Sequence, residues 1–398
     1  PAWSRIVSDF PNYFTAARIV VAGDRVERLY DDAWFQQQIR AQGINSLGQF
    51  TPFPPPTALL LIPLTSLAPL QAQRVVTLVS ILALAAAVLL LARVLAWSTL
   101  DAAVFVLLAG IGISNGMRLG QPYILMATLC IAGYYAWQRG RPLLAGALLG
   151  LFVPIKYYPI LIVLCLGALR QWRVLLGAVL AIGSILLLSV LTMGLTVHRV
   201  FLQTVLGEHL SGHLGLPLSA TVQSFDTLLG LLFIPDAVRN PWPWFTAPGL
   251  QPFGVLLIKS VILLISAVSL FRLWRAPRPP DREPPLGATI GLLGIVALLL
   301  APGTATYHFV LWWLPVGLMV RHLLAVGARG RAYLLLAAYT LIGFWPYQLT
   351  QPFEGHGGLS VLAFPRLFLE LIMFIVGVSV LARIPLSRSA DAIVAGGT

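Results

Sequence analysis

Asp9 heads the polar stretch 1–56, within Ser8-Asp9-Phe10-Pro11-Asn12-Tyr13, and the chain beyond that stretch is dominated by apolar runs. A carboxylate at the mouth of an apolar bundle is costly to desolvate, so its presence points to work. The chemistry open to it is taking a proton from a hydroxyl. The plainer alternative is that Asp9 caps the helix that follows. Lys156, in Val153-Pro154-Ile155-Lys156-Tyr157-Tyr158-Pro159, is one of only two lysines in the chain. A cation between two prolines in a broken apolar segment suits an anion, or else it snorkels to the interface. Arg118, in Arg118-Leu119-Gly120-Gln121-Pro122-Tyr123, offers the planar fork that phosphate accepts. Tyr307-His308 opens an apolar helix, where an imidazole can orient a carboxylate or bond a sugar hydroxyl or phosphate. Arg366 and Glu370 are four residues apart in the last apolar run, so they form either an internal ion pair or a phosphate contact. His209 and His213 follow Glu208 with helical spacing but lack a suitably spaced third ligand, so no metal is expected.

Composition sets the class. Hydrophobic residues make up 58% of the 398 and charged residues 10%, with mean hydropathy +0.86, against roughly 25% charged for a soluble domain. The expected fold is all-α and polytopic. The net charge of +12 does not indicate nucleic acid, because the arginines fall in short loops between apolar runs. Cys130 and Cys165 lie inside apolar runs and read as small buried hydrophobes.

The elements that must position these residues follow from the apolar spacing. Helices are expected near 71–95, 101–114, 122–138, 142–153, 158–169, 174–194, 253–273, 287–302, 307–324, 331–348 and 361–383. A short apolar helix broken by Pro63 and Pro69 is expected over 57–69. The 142–169 region, cut at Pro154 and Pro159, reads as two short or re-entrant halves. Basic loops then alternate with acidic or neutral ones. Arg139, Arg141, Arg170, Arg173, Arg272, Arg275, Arg278, Arg282, Arg321, Arg329, Arg331, Arg383 and Arg388 belong on the cytoplasmic side. The 1–56 segment, the outer region 195–251 and the stretch 349–360 belong on the opposite side. The division is therefore 1–56, an outward loop carrying Asp9, and 57–398, the transmembrane domain. The proline-rich stretch 276–286 is a cytoplasmic linker. Within 1–56, Phe14–Gly23 reads as an amphipathic helix lying on the membrane surface, with a second over 32–41. The chain starts at Pro1 and not at a methionine, so a first transmembrane helix is expected ahead of it.

Taken in order, these features resemble the GT-C membrane glycosyltransferases, and within them family 87, of the polyprenyl-phosphate-mannose-dependent type. The resemblance rests on the outward Asp9 with Tyr13, Gly23, Leu29-Tyr30-Asp31, Pro54-Pro55-Pro56 with Pro63, Gly120-Gln121, Lys156 and Pro159 after Gly146 and Gly150, and Tyr307-His308 before Trp312, Trp313 and Pro315. The chain departs from the pattern at Pro122-Tyr123, where the family usually carries any residue and then Asn, and at Val222-Gln223-Ser224, where an Asn-x-Ser is common. The resemblance implies an inverting transferase that moves a sugar, mannose or alternatively arabinofuranose, from a polyprenyl-phosphate donor to a lipid-linked or glycan hydroxyl. It implies no cofactor, membrane lipids as partners, and a multi-pass protein of the plasma membrane with its site facing away from the cytoplasm. Asp9 and His308 would be catalytic. Lys156, Arg118, Gln121, Tyr13, Tyr157, Arg366 and Tyr307 would bind substrate. A secondary transporter or lipid flippase also suits broken helices and a buried cation. Such a protein has little use for a platform bearing a carboxylate, and a non-catalytic scaffold would leave Asp9, Lys156 and His308 unexplained.

Overall fold

The computed structural model describes residues 3–210, 218–275 and 286–381. Most of the 276–286 linker, His213, and the basic positions 278, 282, 383 and 388 lie outside these residues. The described residues contain only helices, turns and two isolated bridges, so the fold is all-α.

The first segment folds on a core of its own. Helix α1 (Phe10–Ala22) ends at Gly23 in the left-handed conformation, and α2 (Asp32–Ala41) is capped by the Asp31 side chain, which accepts from the Trp34 amide. Phe10, Phe14, Ile19, Phe35 and Phe50 close the core together with Ala58 and Leu61 of a 3₁₀ helix, Pro55–Leu64. Prolines at 54–56 and 63 deny this apolar stretch regular α-helical bonding, hence the tighter 3₁₀ form. Helix α1 is therefore enclosed on nearly every side and does not lie along a surface with one wet face. The reason is its packing against the 3₁₀ helix and α2.

The bundle begins with α3 (Pro69–Leu95). The apolar run that follows is broken, where one helix over 101–114 is expected. Helices α4 (Thr99–Leu107) and α5 (Ile111–Leu119) meet at 72°. Gly110, at φ +52, packs so closely that an added Cβ would sit 2.3 Å from the Gly343 carbonyl oxygen. Only glycine tolerates both the backbone angle and that approach.

The chain continues through α6 (Tyr123–Gln138), α7 (Pro142–Gly150), α8 (Ile160–Ala168) and α9 (Trp172–Val200). Helices α7 and α8 are the two expected short halves, with Lys156 in the turn between them. Helix α9 runs past the expected end at 194, kinking at Gly194 (φ 75, ψ 173) before a π-turn and α10 (Leu206–Leu210). Its Met193 and Val197 join the first segment's core, so α9 anchors that segment to the bundle. Then come α11 (Phe225–Phe233), α12 (Leu250–Arg275), α13 (Leu286–Leu299), a 3₁₀ turn Thr306–Trp312 leading into α14 (Trp313–Ala325), α15 (Arg329–Phe344) and α16 (Pro365–Leu381). Much of the 195–251 region is thus helical.

Among the described residues, four helices are long and apolar enough to cross a membrane, or up to six if each bent pair counts as one span. The protein is a polytopic helical membrane protein. One end of the bundle is tied by basic side chains that hold helix C-termini. Arg321 Nη1 donates to the Val94 carbonyl (2.9 Å), and Arg331 Nη1 to the Ser379 carbonyl (3.4 Å). The opposite end carries the first segment, the start of α6, the Thr306–Trp312 turn and the start of α16.

Candidate functional site

Asp9 occupies the residue before α1, yet its side chain makes no capping bond. The carboxylate is committed elsewhere. Gln121 Nε2 donates to Asp9 Oδ2 (2.7 Å), and Ser8 Oγ donates to Oδ1 (3.0 Å). Ser8 is held at φ +30, a strained angle for a residue with a side chain.

The orientation of the Gln121 amide is decided by its other neighbour. The Tyr13 hydroxyl donates to Gln121 Oε1 (2.7 Å). Burial, and then the Asp9 carboxylate, hold the Tyr13 phenol well above its ordinary value, so it keeps its proton and donates. With Oε1 accepting, the NH₂ group must face Asp9. Backbone geometry makes the reach possible. Gly120 has φ +68, and a Cβ there would lie 2.8 Å from Phe10 Cβ. The α5–α6 link can therefore press against α1 and present Gln121 to both partners.

Lys156 projects from the α7–α8 turn to the same place. Its Nζ lies 4.5 Å from the Phe53 ring centre and 5.4 Å from that of Tyr123. Aromatic faces attract a cation but accept little of its hydrogen bonding. No carboxylate of the described residues lies within ion-pair distance of Lys156. A partly buried lysine framed by rings therefore keeps donors for an anion. Asp9 is within electrostatic reach of Lys156, Tyr13 and Tyr307.

His308 is buried beside this cluster with both ring nitrogens engaged. The Ala305 amide donates to Nδ1 (2.8 Å). Nδ1 also lies 3.1 Å from the Ala305 carbonyl, and Nε2 shares a hydrogen bond with the Tyr123 hydroxyl (2.8 Å). His308 thus orients Tyr123 and does not touch Asp9. Tyr123 also packs on Tyr307 (5.3 Å between ring centres). Sequence reasoning missed Tyr123 as a site residue, although its position was marked as a departure from the family pattern. Phe53 was missed too, its only signal being a place in the proline-rich return to the bundle.

A cleft of about 970 Å³ opens next to the cluster. Asn115, Arg118, Arg239, Tyr307, Tyr347 and Glu354 contribute its polar lining. Arg118 is exposed and faces this cleft, away from the Asp9–Gln121 contact. Asn115 Nδ2 donates to Thr306 Oγ1 (2.9 Å), fixing α5 against the 306–312 turn. Arg239 was not singled out, although it lines the same cleft as Arg118. Tyr157 is exposed and stacks on Tyr158 (4.9 Å).

Arg366 stands behind the cleft wall. Its Nε donates to the Ile342 carbonyl (3.0 Å) and its Nη2 to that of Trp345 (2.6 Å), and its guanidinium lies 4.2 Å from the Tyr347 ring centre. It ties the end of α15 to the start of α16. Glu370 is fully buried but does not come within ion-pair distance of Arg366, so the four-residue spacing yields no salt bridge. Gln223, in the stretch where an Asn-x-Ser is common, accepts the backbone amides of Arg366 (3.2 Å) and Leu367 (3.4 Å) and so caps α16. No group of three potential metal ligands occurs among the described residues.

The structure thus gathers Asp9, Tyr13, Gln121, Lys156, Tyr307 and His308 at one end of the bundle, with Arg118 in the adjoining cleft and Arg366 behind it. Such an arrangement can take a proton from a hydroxyl and hold an anion beside it. Comparison with curated proteins and with solved structures returned no match. The model of glycosyltransferase family 87 matches residues 50–302, more than half of the chain. That stretch includes Arg118, Gln121, Lys156 and Tyr157, while Asp9, Tyr13, Tyr307, His308 and Arg366 lie outside it. On this match the chain belongs to glycosyltransferase family 87 and is a membrane glycosyltransferase.

Proposed function

We propose that this glycosyltransferase moves mannose, with inversion at the anomeric carbon, from a polyprenyl phosphate to a hydroxyl of a lipid-linked or glycan acceptor. The observation that carries the reading is a non-capping carboxylate, Asp9, within electrostatic reach of an ammonium, Lys156, that has no carboxylate partner among the described residues, in a cluster whose Tyr307 also lines a large cleft. A lipid-phosphate sugar cannot leave the bilayer, so its phosphate has to be met at the membrane boundary. Lys156 donates hydrogen bonds to that phosphate and offsets the charge that grows on it as the sugar–oxygen bond breaks. The acceptor hydroxyl enters from the cleft. Asp9 removes its proton as the new bond to the anomeric carbon forms on the opposite face. One base and no covalent intermediate suffice for inversion.

The remaining residues have supporting roles in this reading. Tyr13 and Gln121 aim the Asp9 carboxylate. His308 holds Tyr123 beneath Lys156. Arg118 and Tyr307 line the acceptor cleft, Tyr157 flanks the donor entrance, and Arg366 backs Tyr347 in the cleft wall. The arginine-tied end of the bundle, with Arg139, Arg173, Arg321 and Arg329, is cytoplasmic by the positive-inside rule. In this reading the site works on the outer side of the plasma membrane. The test is incubation of the purified protein with radiolabelled polyprenyl-phosphate mannose and a membrane extract. A labelled mannosylated product supports the reading. Transfer from a labelled arabinofuranosyl donor in its place would reassign the sugar. No transfer from any polyprenyl-phosphate donor would end it.

A further inference from the structure

The loop joining α11 to α12 holds three large aromatic side chains away from the protein: Trp242 is 73% exposed, Trp244 56% and Phe245 55%. The loop is firmly built. Asp236 and Asn240 exchange backbone hydrogen bonds in both directions (3.0 Å each), and Asp236 Oδ1 accepts the amides of Val238 (2.9 Å) and Arg239 (2.7 Å). Asn240 Nδ2 donates to the carbonyls of Leu231 (2.9 Å) and Ile234 (2.6 Å). Past the aromatics, the Phe245 and Ala247 amides return to the carbonyls of Leu232 (3.1 Å) and Phe233 (3.0 Å), and Trp242 bridges to His356. A braced loop that displays a contiguous aromatic patch is unfavourable in water and marks an apolar environment.

Position along α12 says which environment. The helix begins five residues after Phe245, and its Phe253, Leu256, Leu257 and Leu264 are exposed in a candidate membrane span that is mostly unburied. From Phe253 to Arg272, the first basic residue at its far end, the helix rises about 28 Å at 1.5 Å per residue, close to the thickness of a bilayer's hydrocarbon core. With Arg272 at one boundary, Phe253 reaches the other. Trp242, Trp244 and Phe245 then fall in the headgroup region, where the tryptophan ring with its N–H edge is at its most favourable and the Phe245 ring turns to the acyl chains. The same loop forms part of the cleft wall through Arg239.

We propose that the 235–249 loop is a membrane-interface wedge. Its three aromatics enter the headgroup layer of the leaflet on the cleft side and hold the cleft mouth at headgroup height. The occupant of the patch is the bilayer itself, because the patch continues directly into the lipid-facing side of α12. A consequence, which rests on the transferase reading above, is that a lipid-anchored acceptor enters the cleft sideways from the leaflet.

The test uses the full chain in vesicles of phosphatidylcholine and phosphatidylglycerol. An NBD fluorophore is attached at Trp244→Cys, with Phe245→Cys as a second site should the first fail to fold. The unsubstituted protein serves as control, since Cys130 and Cys165 are buried. The expected result is a blue-shifted emission, quenched more by lipids with a shallow doxyl group than by lipids with a deep one, and little by iodide. Water-like emission with strong iodide quenching overturns the proposal. Emission shielded from iodide and from both lipid quenchers overturns it as well, since a protein partner would then cover the patch. In a second arm, Trp242→Ser with Trp244→Ser should raise the KM for an acceptor presented in vesicles and leave kcat unchanged. The quenching result stands without any transfer activity, so failure of the wedge and failure of the transferase reading are separately visible.

Discussion

The Asp9 carboxylate is held by the Ser8 hydroxyl and by the Gln121 amide, and that amide is aimed by a phenol. Tyr13 gives its proton to Gln121 Oε1, leaving Gln121 Nε2 for Asp9. A hydrogen bond to a charged group is worth about 1.5–3 kcal/mol, so Gln121→Leu should lower kcat by roughly 10–100-fold. Tm should fall as well, because the buried Tyr13 hydroxyl loses its acceptor, while donor affinity should change little; steady-state transfer, thermal unfolding and equilibrium donor binding check the three. At Lys156 the split is reversed. Lys156→Gln should weaken donor binding by roughly 10–100-fold, the cost of losing one charge-assisted contact. Equilibrium binding of the labelled donor decides it, and unchanged affinity would remove Lys156 from the site. Asp9 and Lys156 stood out in the sequence because charge is rare in this chain and each lies near a proline, and Gln121 because of its place between Gly120 and Pro122. Tyr123 was not, since the chain has eleven tyrosines and nothing in their spacing says which one holds a histidine. Arg366 was legible as unusual but not as a clasp, because its partners are backbone carbonyls brought together only by the fold.

The elements hold the site through a few close approaches. Gly120 carries the α5–α6 link at φ +68 against Phe10. Gly120→Ala should cost about 1–2 kcal/mol from the left-handed backbone alone. The added methyl would also push Gln121 away from Asp9. Both Tm and kcat should fall, whereas alanine at Gly140, also at positive φ but with open space around it, should lower Tm only. Equal kcat losses at the two positions would mean that the contact with Phe10 is unimportant. Most helices were readable from their apolar runs, because length and hydropathy are enough for a membrane bundle. The α4–α5 bend was not, since it depends on Gly110 meeting Gly343, far away in sequence. Nor was the burial of α1, whose covering residues come partly from α9 and the Pro55–Leu64 helix.

The molecule as a whole is polar in the electrical sense, with helix ends rich in arginine opposite the end that carries the cleft. Single cysteines at 139 and 329 should resist a membrane-impermeant reagent applied from outside, while one at 24 should react. The reverse pattern would invert the topology and move the site to the cytoplasmic face. The central claim, that this membrane glycosyltransferase uses Asp9 to accept the proton of the acceptor hydroxyl, is tested most directly by Asp9→Asn. Asparagine keeps the size of the side chain and would serve as well as aspartate in a cap, but it cannot take a proton. Transfer by the purified variant from radiolabelled polyprenyl-phosphate mannose should fall by about 10²–10⁴-fold, the usual share of a general base, with donor binding and Tm close to those of the unsubstituted protein. Near-normal transfer by Asp9→Asn would contradict the account and place the base elsewhere.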